Sequence, residues 1–270
     1  MPELGAPKVK SIESLRRGLE VLEAIRGSSG VTLHTLHRST TLPKASLLRI
    51  LKTLEEIGVV QRRIADGVYL PCASKPEMDS KRRAHLRLTE LAAPFLKDLH
   101  TQLPWPSDIG VRDGTRMLVL ESNRPLTGLS VNRRVVGFHP DMLLSALGRA
   151  YLAFCAQEER ESLLRDVLRA QGLSASAAAR KREQIERTIV VTRRQGYGVR
   201  DSTHLGPDAD MADRFCAIAV PVLVPDGVAA CLSCVWLERV ATVEQIVDAY
   251  LGLLQSTASR IGKRLSPDRQ

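Results

Sequence analysis

Apolar positions recur at helical spacing through most of the chain. In residues 11–26, Ile12, Leu15, Leu19, Leu22 and Ile25 fall on one face of an amphipathic helix. Gly27 and Gly30 frame a break, and a short helix is expected from Thr32 to Ser39 with Leu33 and Leu36 inward. Pro43 suits the first position of a third helix, where its missing N–H would be unpaired anyway. That helix is predicted to run to Ile57, with Leu47, Ile50, Leu51 and Leu54 as its buried stripe and Gly58 as its stop. Ala45, Arg49, Lys52 and Glu56 then lie on the opposite face, with Ser46 and Thr53 on the flank. The period changes next. Val59–Ile64 and Val68–Leu70 read as strands around the turn Ala65-Asp66-Gly67.

Residues 71–83, with two prolines and a basic cluster, read as a module boundary. Helical spacing returns from Ala84 to Leu103 on Leu88, Leu91, Phe95 and Leu99, where Pro94 predicts two helices or one bent helix. Further on, Met117–Glu121, Ile218–Val224 and Val228–Val235 are strand-like. Leu144–Phe154, Gln157–Leu168, Ala177–Gln195 and Thr242–Ile261 are helix-like. Paired strands with helices interposed predict an α+β fold with an antiparallel sheet. The expected organisation is an N-terminal module over 1–80, a linker helix over 81–103, and a larger module over 104–270.

A length of 270 residues suits one large or two ordinary domains. With aromatics at only 4%, Leu, Val, Ile and Ala must fill the core. The net charge of +9 is uneven: residues 1–83 hold 15 Lys/Arg against 9 Asp/Glu, and the remainder 24 against 21. Such asymmetry points to an N-terminal nucleic-acid-binding module and a near-neutral remainder. No apolar run approaches the ~18 residues of a membrane span, and the N-terminus lacks the apolar stretch of a secretory signal. Five cysteines, odd in number and widely spaced, do not read as a disulfide framework. A cytoplasmic protein is the expectation, with no membrane partner.

Helix, helix, turn, helix and hairpin within residues 11–70 describe a winged helix-turn-helix, whose third helix would enter a DNA major groove. Small Ala45 allows close approach and the Arg49 guanidinium fork can pair with a guanine edge. Lys44, Ser46, Lys52 and Thr53 would reach phosphates or neighbouring bases. Arg62 and Arg63 on the wing, and Arg16 and Arg17 on the first helix, would contact backbone phosphate. The alternative is a solvated basic face on a module that binds protein or RNA. Tyr69, the only aromatic here, makes no RNA stacking platform.

Leu42 through Gly58 resembles the recognition segment of the isocitrate-lyase-regulator (IclR) family of bacterial transcription factors, and Ser14 through Leu22 resembles its first helix. Ser145 through Ala153, Gly196-Tyr197-Gly198 and Ile218 through Val222 resemble its effector-domain motifs, in the family's order. The resemblance implies a GAF-like effector domain, a dimer or tetramer on a palindromic operator, and RNA polymerase as a partner if the chain activates. From the residues themselves, Ser145 can cap a helix, leaving the Ala146 and Leu147 amides, beside Gly148, as a carboxylate site. An ordinary buried helix start remains the alternative. The resemblance places Ser233 at a pocket position, Ala217 where relatives often carry cysteine, and Val235 where some carry a hydroxyl. A pocket this apolar implies a larger, partly aromatic acid. Segments at Trp105–Asp108, Leu152–Cys155 and Thr242–Gln245, with Arg133, resemble the hydroxyphenylpropionate-type regulators of aromatic catabolism. Arg133 either pairs a ligand carboxylate or is an exposed loop arginine.

Cys231 and Cys234 have CxxC spacing, but strand alternation puts them on opposite faces, so neither metal nor redox chemistry is expected. His34 and His37 share a helix face without a third ligand. No nucleophile elbow, phosphate loop or dinucleotide fingerprint occurs, so no catalytic residue and no cofactor is expected. The expected function is a ligand-responsive DNA-binding regulator of aromatic or other organic-acid catabolism. The alternatives are a repressor of a non-aromatic carbon pathway, an enzyme docked by its winged helix, and an adaptor that binds protein.

Overall fold

The computed structural model describes residues 11–72, 80–127, 135–204 and 214–266. They divide into two compact units: the first ends at Arg87, and the second runs from Leu88 and takes in Ile64–Asp66.

The first unit holds α1 (Glu13–Arg26), α2 (Leu33–Thr40), α3 (Lys44–Glu56) and a hairpin of β1 (Val60–Arg62) and β2 (Tyr69–Pro71). Thr32 starts α2 by accepting the Thr35 amide at 3.1 Å. The core joins Ile25, Leu36, Leu47, Leu51, Val60 and Tyr69. Tyr69 also exchanges backbone hydrogen bonds with Val31, a bridge the spacing did not predict. The expected apolar stripe of α1 divides. Val21, Leu22 and Ile25 are buried, whereas Ile12, Leu15 and Leu19 are 65%, 58% and 52% exposed. Only the C-terminal half of α1 meets the unit's core.

Helix α4 (Ser80–Gln102) runs unbroken through Pro94. A proline there removes one backbone hydrogen bond, and burial of α4 along the sheet offsets the loss. Its buried line is Leu88, Ala92, Leu96, Leu99 and Leu103, so Leu91 and Phe95 of the expected stripe are only half buried. Alanine, too small to mark a hydrophobic stripe by eye, belongs to the true one.

The second unit adds β3 (Ser107–Asp113), β4 (Arg116–Ser122), α5 (Ala146–Phe154), α6 (Gln157–Ala170), α7 (Ala175–Gln195), β5 (Gly198–Val199), β6 (Phe215–Val224), β7 (Gly227–Leu237) and α8 (Val243–Leu265). The strands form one antiparallel sheet in the order β4-β3-β7-β6-β5. Helices α4 and α8 cover one face, and α5, α6 and α7 supply the core on the other. Alternation along β6 and β7 sorts the side chains. Ala217, Ala219, Cys231 and Val235 join the α5 side, while Ile218, Val220, Cys234 and Trp236 join the α4–α8 side. Cys231 and Cys234 are therefore on opposite faces, and burial pushes both thiols far above their ordinary pKa.

Helix α8 lies so close to β6 that a Cβ at Gly262 would run into the Leu223 carbonyl oxygen, whereas Gly252 on the same helix has nothing within 4 Å. Gly262→Ala should therefore lower the unfolding free energy by about 1–3 kcal/mol. Gly252→Ala should raise it by about 0.5–1 kcal/mol through helix propensity. Denaturant midpoints at unchanged slope read both.

Candidate functional site

Helix α5 begins where Asp141 and Ser145 tie the chain down. The Asp141 carboxylate accepts the Leu143 and Leu144 amides at 2.8 and 2.9 Å. Ser145 Oγ donates to the Asp141 carbonyl at 2.6 Å and accepts the Gly148 amide at 3.0 Å, so it is the N-cap. The Ala146 and Leu147 amides meet no acceptor among the described residues. Gly148 is required because a Cβ would collide with the Met142 backbone.

This helix start borders an open cleft. Ser145, Ala146, Leu147, Ala217, Ser233 and Val235, all expected at the site, line it together. Of the other three expected residues, Gly148 and Trp105 do not. Gly148 is turned to Met142, and Trp105 packs with the core on the α4–α8 side of the sheet. Arg133 lies outside the described residues.

The cleft also holds residues that sequence reasoning did not assign: Asp108, Arg124, Arg200 and His204 are polar, and Phe138 and Pro140 are apolar. Arg124, in a 3-10 turn after β4, donates through Nε and Nη2 to the two Asp108 oxygens at 3.0 and 2.7 Å. Ser122 Oγ adds 2.7 Å to the same carboxylate, and the pair is buried. Arg200 Nη2 donates to the His204 carbonyl at 2.6 Å. Burial, and then the Arg200 charge, pull the His204 pKa down to about 4, so its ring is neutral at pH 7. The only available sequence signals were charged residues inside or beside apolar segments.

In the first unit, Lys44, Ala45, Arg49, Lys52 and Thr53 are exposed on α3, and Ser46 is half buried. Lys44 and Arg49 make no ion pair with any described residue. Lys52 faces Glu56 at 3.8 Å, and the Thr53 hydroxyl bonds the Arg49 carbonyl at 3.1 Å. Leu48, 49% exposed on the same face, was not expected there. Arg62 stacks over the Tyr69 ring at 5.7 Å, and Arg63 is half buried. Arg16 and Arg17 are tied to Glu13, and Arg16 also to Glu20, within α1. Among the described residues no helix is long and apolar enough to cross a membrane, and no cluster of His, Cys, Asp and Glu could hold a metal.

Residues 14–63 match the IclR helix-turn-helix domain, and residues 80–263 match the bacterial transcriptional regulator IclR C-terminal domain. The chain belongs to the IclR family. It is 26% identical over 203 residues to the transcriptional repressor IclR of Escherichia coli K12, covering 74% of this chain and 73% of the relative. It is 27% identical over 143 residues to the Escherichia coli DNA-binding transcriptional repressor YiaJ, covering 53% of this chain and about half, 51%, of that relative. The crystal structure of Thermotoga maritima IclR superposes with a TM-score of 0.52 at 20% identity, covering 94% of this chain and 99% of that one. An IclR homolog of Microbacterium hydrocarbonoxydans complexed with 4-hydroxybenzoate superposes with a TM-score of 0.50 at 21% identity, covering 95% and 100%.

In this IclR-family chain the buried Asp108–Arg124 pair is a clear point of vulnerability. Asp108→Asn strands the Arg124 charge in the interior and should cost about 3–5 kcal/mol of stability, read as a lowered urea midpoint. His204 generates a pH dependence of known sign. Its folded pKa lies below the ordinary 6.5, so the unfolded chain takes up the proton first as pH falls. Stability should drop from about pH 6.5 towards pH 4, and His204→Gln should flatten that part of the profile.

Proposed function

We propose that the chain is a ligand-responsive transcriptional regulator that binds a palindromic operator as a dimer or tetramer and takes an organic acid in the cleft at the start of α5. The observation that carries this reading is the pairing, in one IclR-family chain, of an exposed helix-turn-helix face bearing unpaired Lys44 and Arg49 with a polar-walled cleft at a capped helix start. A helix of this kind reads base edges from its exposed face, and Arg49 is the residue able to form a bidentate pair with guanine. Leu48 beside it offers an apolar contact to a thymine methyl.

Two half-sites need two heads. The exposed Ile12, Leu15 and Leu19, at steps of three and four, form a seam on α1 suited to a second copy. The 4-hydroxybenzoate complex of the Microbacterium homolog supports an aromatic acid as the ligand class. The ligand would shift the population between arrangements of the heads. Reciprocity requires operator DNA to change ligand affinity by the same factor.

Footprinting of DNA upstream of the gene, with and without added acids, tests the reading. A salt-sensitive palindromic footprint that an acid alters is expected; its absence, or turnover of the acid, would favour a docked enzyme or a protein-binding adaptor. On the operator so found, Arg49→Ala should cost about 1–3 kcal/mol and relax preference at one base position. Lys52→Ala should weaken binding to all sequences alike and reduce the salt slope by about one. Equal, sequence-blind losses from both would remove Arg49 from base recognition.

A further inference from the structure

Among the described residues, one cation in the wall of the cleft has no carboxylate partner. Arg124 spends its guanidinium on both oxygens of Asp108. Arg200, just after β5, has only the neutral His204 carbonyl. No described carboxylate pairs with it, and its Nε and Nη1 meet no acceptor. Burial holds its pKa below the ordinary arginine value, yet a guanidinium remains charged at neutral pH. A largely desolvated cation without an anion is costly to keep, and an anionic ligand relieves that cost.

The rest of the wall narrows the class of anion. The Ala146 and Leu147 amides add two open donors, and the neutral ring of His204 adds no charge at pH 7. Asp108 and Arg124 cancel, which leaves the described lining with a single positive charge from Arg200. Val119, Val135, Phe138 and Val235 supply the apolar remainder. A dianion such as a phosphate ester would need a second unspent cation, and the described lining has none.

We propose that Arg200 selects a monoanionic carboxylate with an apolar body for this cleft, the part the sequence reading gave to Arg133. The inference rests on the reading of the cleft as the effector site and deepens it. The full chain would be titrated by calorimetry with 3-phenylpropionate, 4-hydroxybenzoate and their primary amides. The wild type should prefer each bound acid over its amide by about tenfold or more, the worth of a charge-assisted hydrogen bond in a desolvated site. Arg200→Gln should lose that preference by weakening the acid and sparing the amide. Arg200→Lys, which keeps charge but not the fork, should recover part of it. If the Gln variant melts early, the Lys variant still reads the inference through a several-fold loss of preference. Acid affinity and preference unchanged in both variants would overturn the role of Arg200 and leave the cleft reading intact. Acid binding unaffected by Leu147→Trp, which fills the cleft, or no binding of either acid by the wild type, would overturn the cleft reading and this inference with it.

Discussion

The β6–β7 ladder carries apolar side chains on both of its faces, and that forces the second unit to be covered twice. Ile218, Val220, Leu232, Cys234 and Trp236 face α4 and α8, and Ala217, Ala219, Cys231 and Val235 face α5. Neither face tolerates water, because a strand buried on both sides must lose its apolar surface to two separate layers. The two faces are filled differently. Trp236 and the long aliphatic residues make one side solid. On the other, small Ala217 and the hydroxyl of Ser233 stand beside the first turn of α5, and the cleft opens there.

The cleft is joined to the opposite layer through one side chain. Asn123, immediately before Arg124, accepts the Ser107 amide at 2.7 Å and donates to the Leu96 carbonyl of α4 at 3.1 Å. Asn123 is fully buried, so each bond stands in for water and either loss would leave a polar group stranded. Asn123 thus ties the chain just before Arg124 to α4. This is the same helix whose opening residues, through Arg87, belong to the first unit. A two-state shift of a packed helix is the kind of element through which a ligand can bias a distant equilibrium.

The sequence was most legible where structure is local. The cap at Ser145, the buried face of α3 and the opposite faces of Cys231 and Cys234 each follow from a few neighbouring residues. Of the residues that line the cleft, Ser145 and Leu147 belong to one such local motif, whereas Ala217, Ser233 and Val235 were placed by the family resemblance. Strand β3 was missed because Gly110 and three charged residues break its pattern, although its first five residues are buried. Strand β5 is only two residues long. Ile12, Leu15 and Leu19 repeat as a core would, and nothing in their spacing tells a core from an exposed face. Asp108 with Arg124, and Arg200 without a described carboxylate, are tertiary facts. No sequence spacing reveals which of many arginines will find a carboxylate.

That last point changes how the formal charge of +9 should be understood. Several of the arginines are paired with carboxylates inside the fold. Arg16 and Arg17 lean on Glu13, Arg112 on Glu159, Arg149 on Asp201, and Arg182 on Glu161 and Glu186. Exposed pairs of this sort contribute little stability, but they do cancel the field that a partner would feel. What remains without a described carboxylate partner includes Lys44 and Arg49 on the outer face of α3, and Arg200 in the cleft. A polyanion and a small monoanion call for different remainders, one solvated and extended along a helix, the other single and largely desolvated. The fold separates the two by deciding which cations receive carboxylates, a choice that net charge and its division along the chain do not encode.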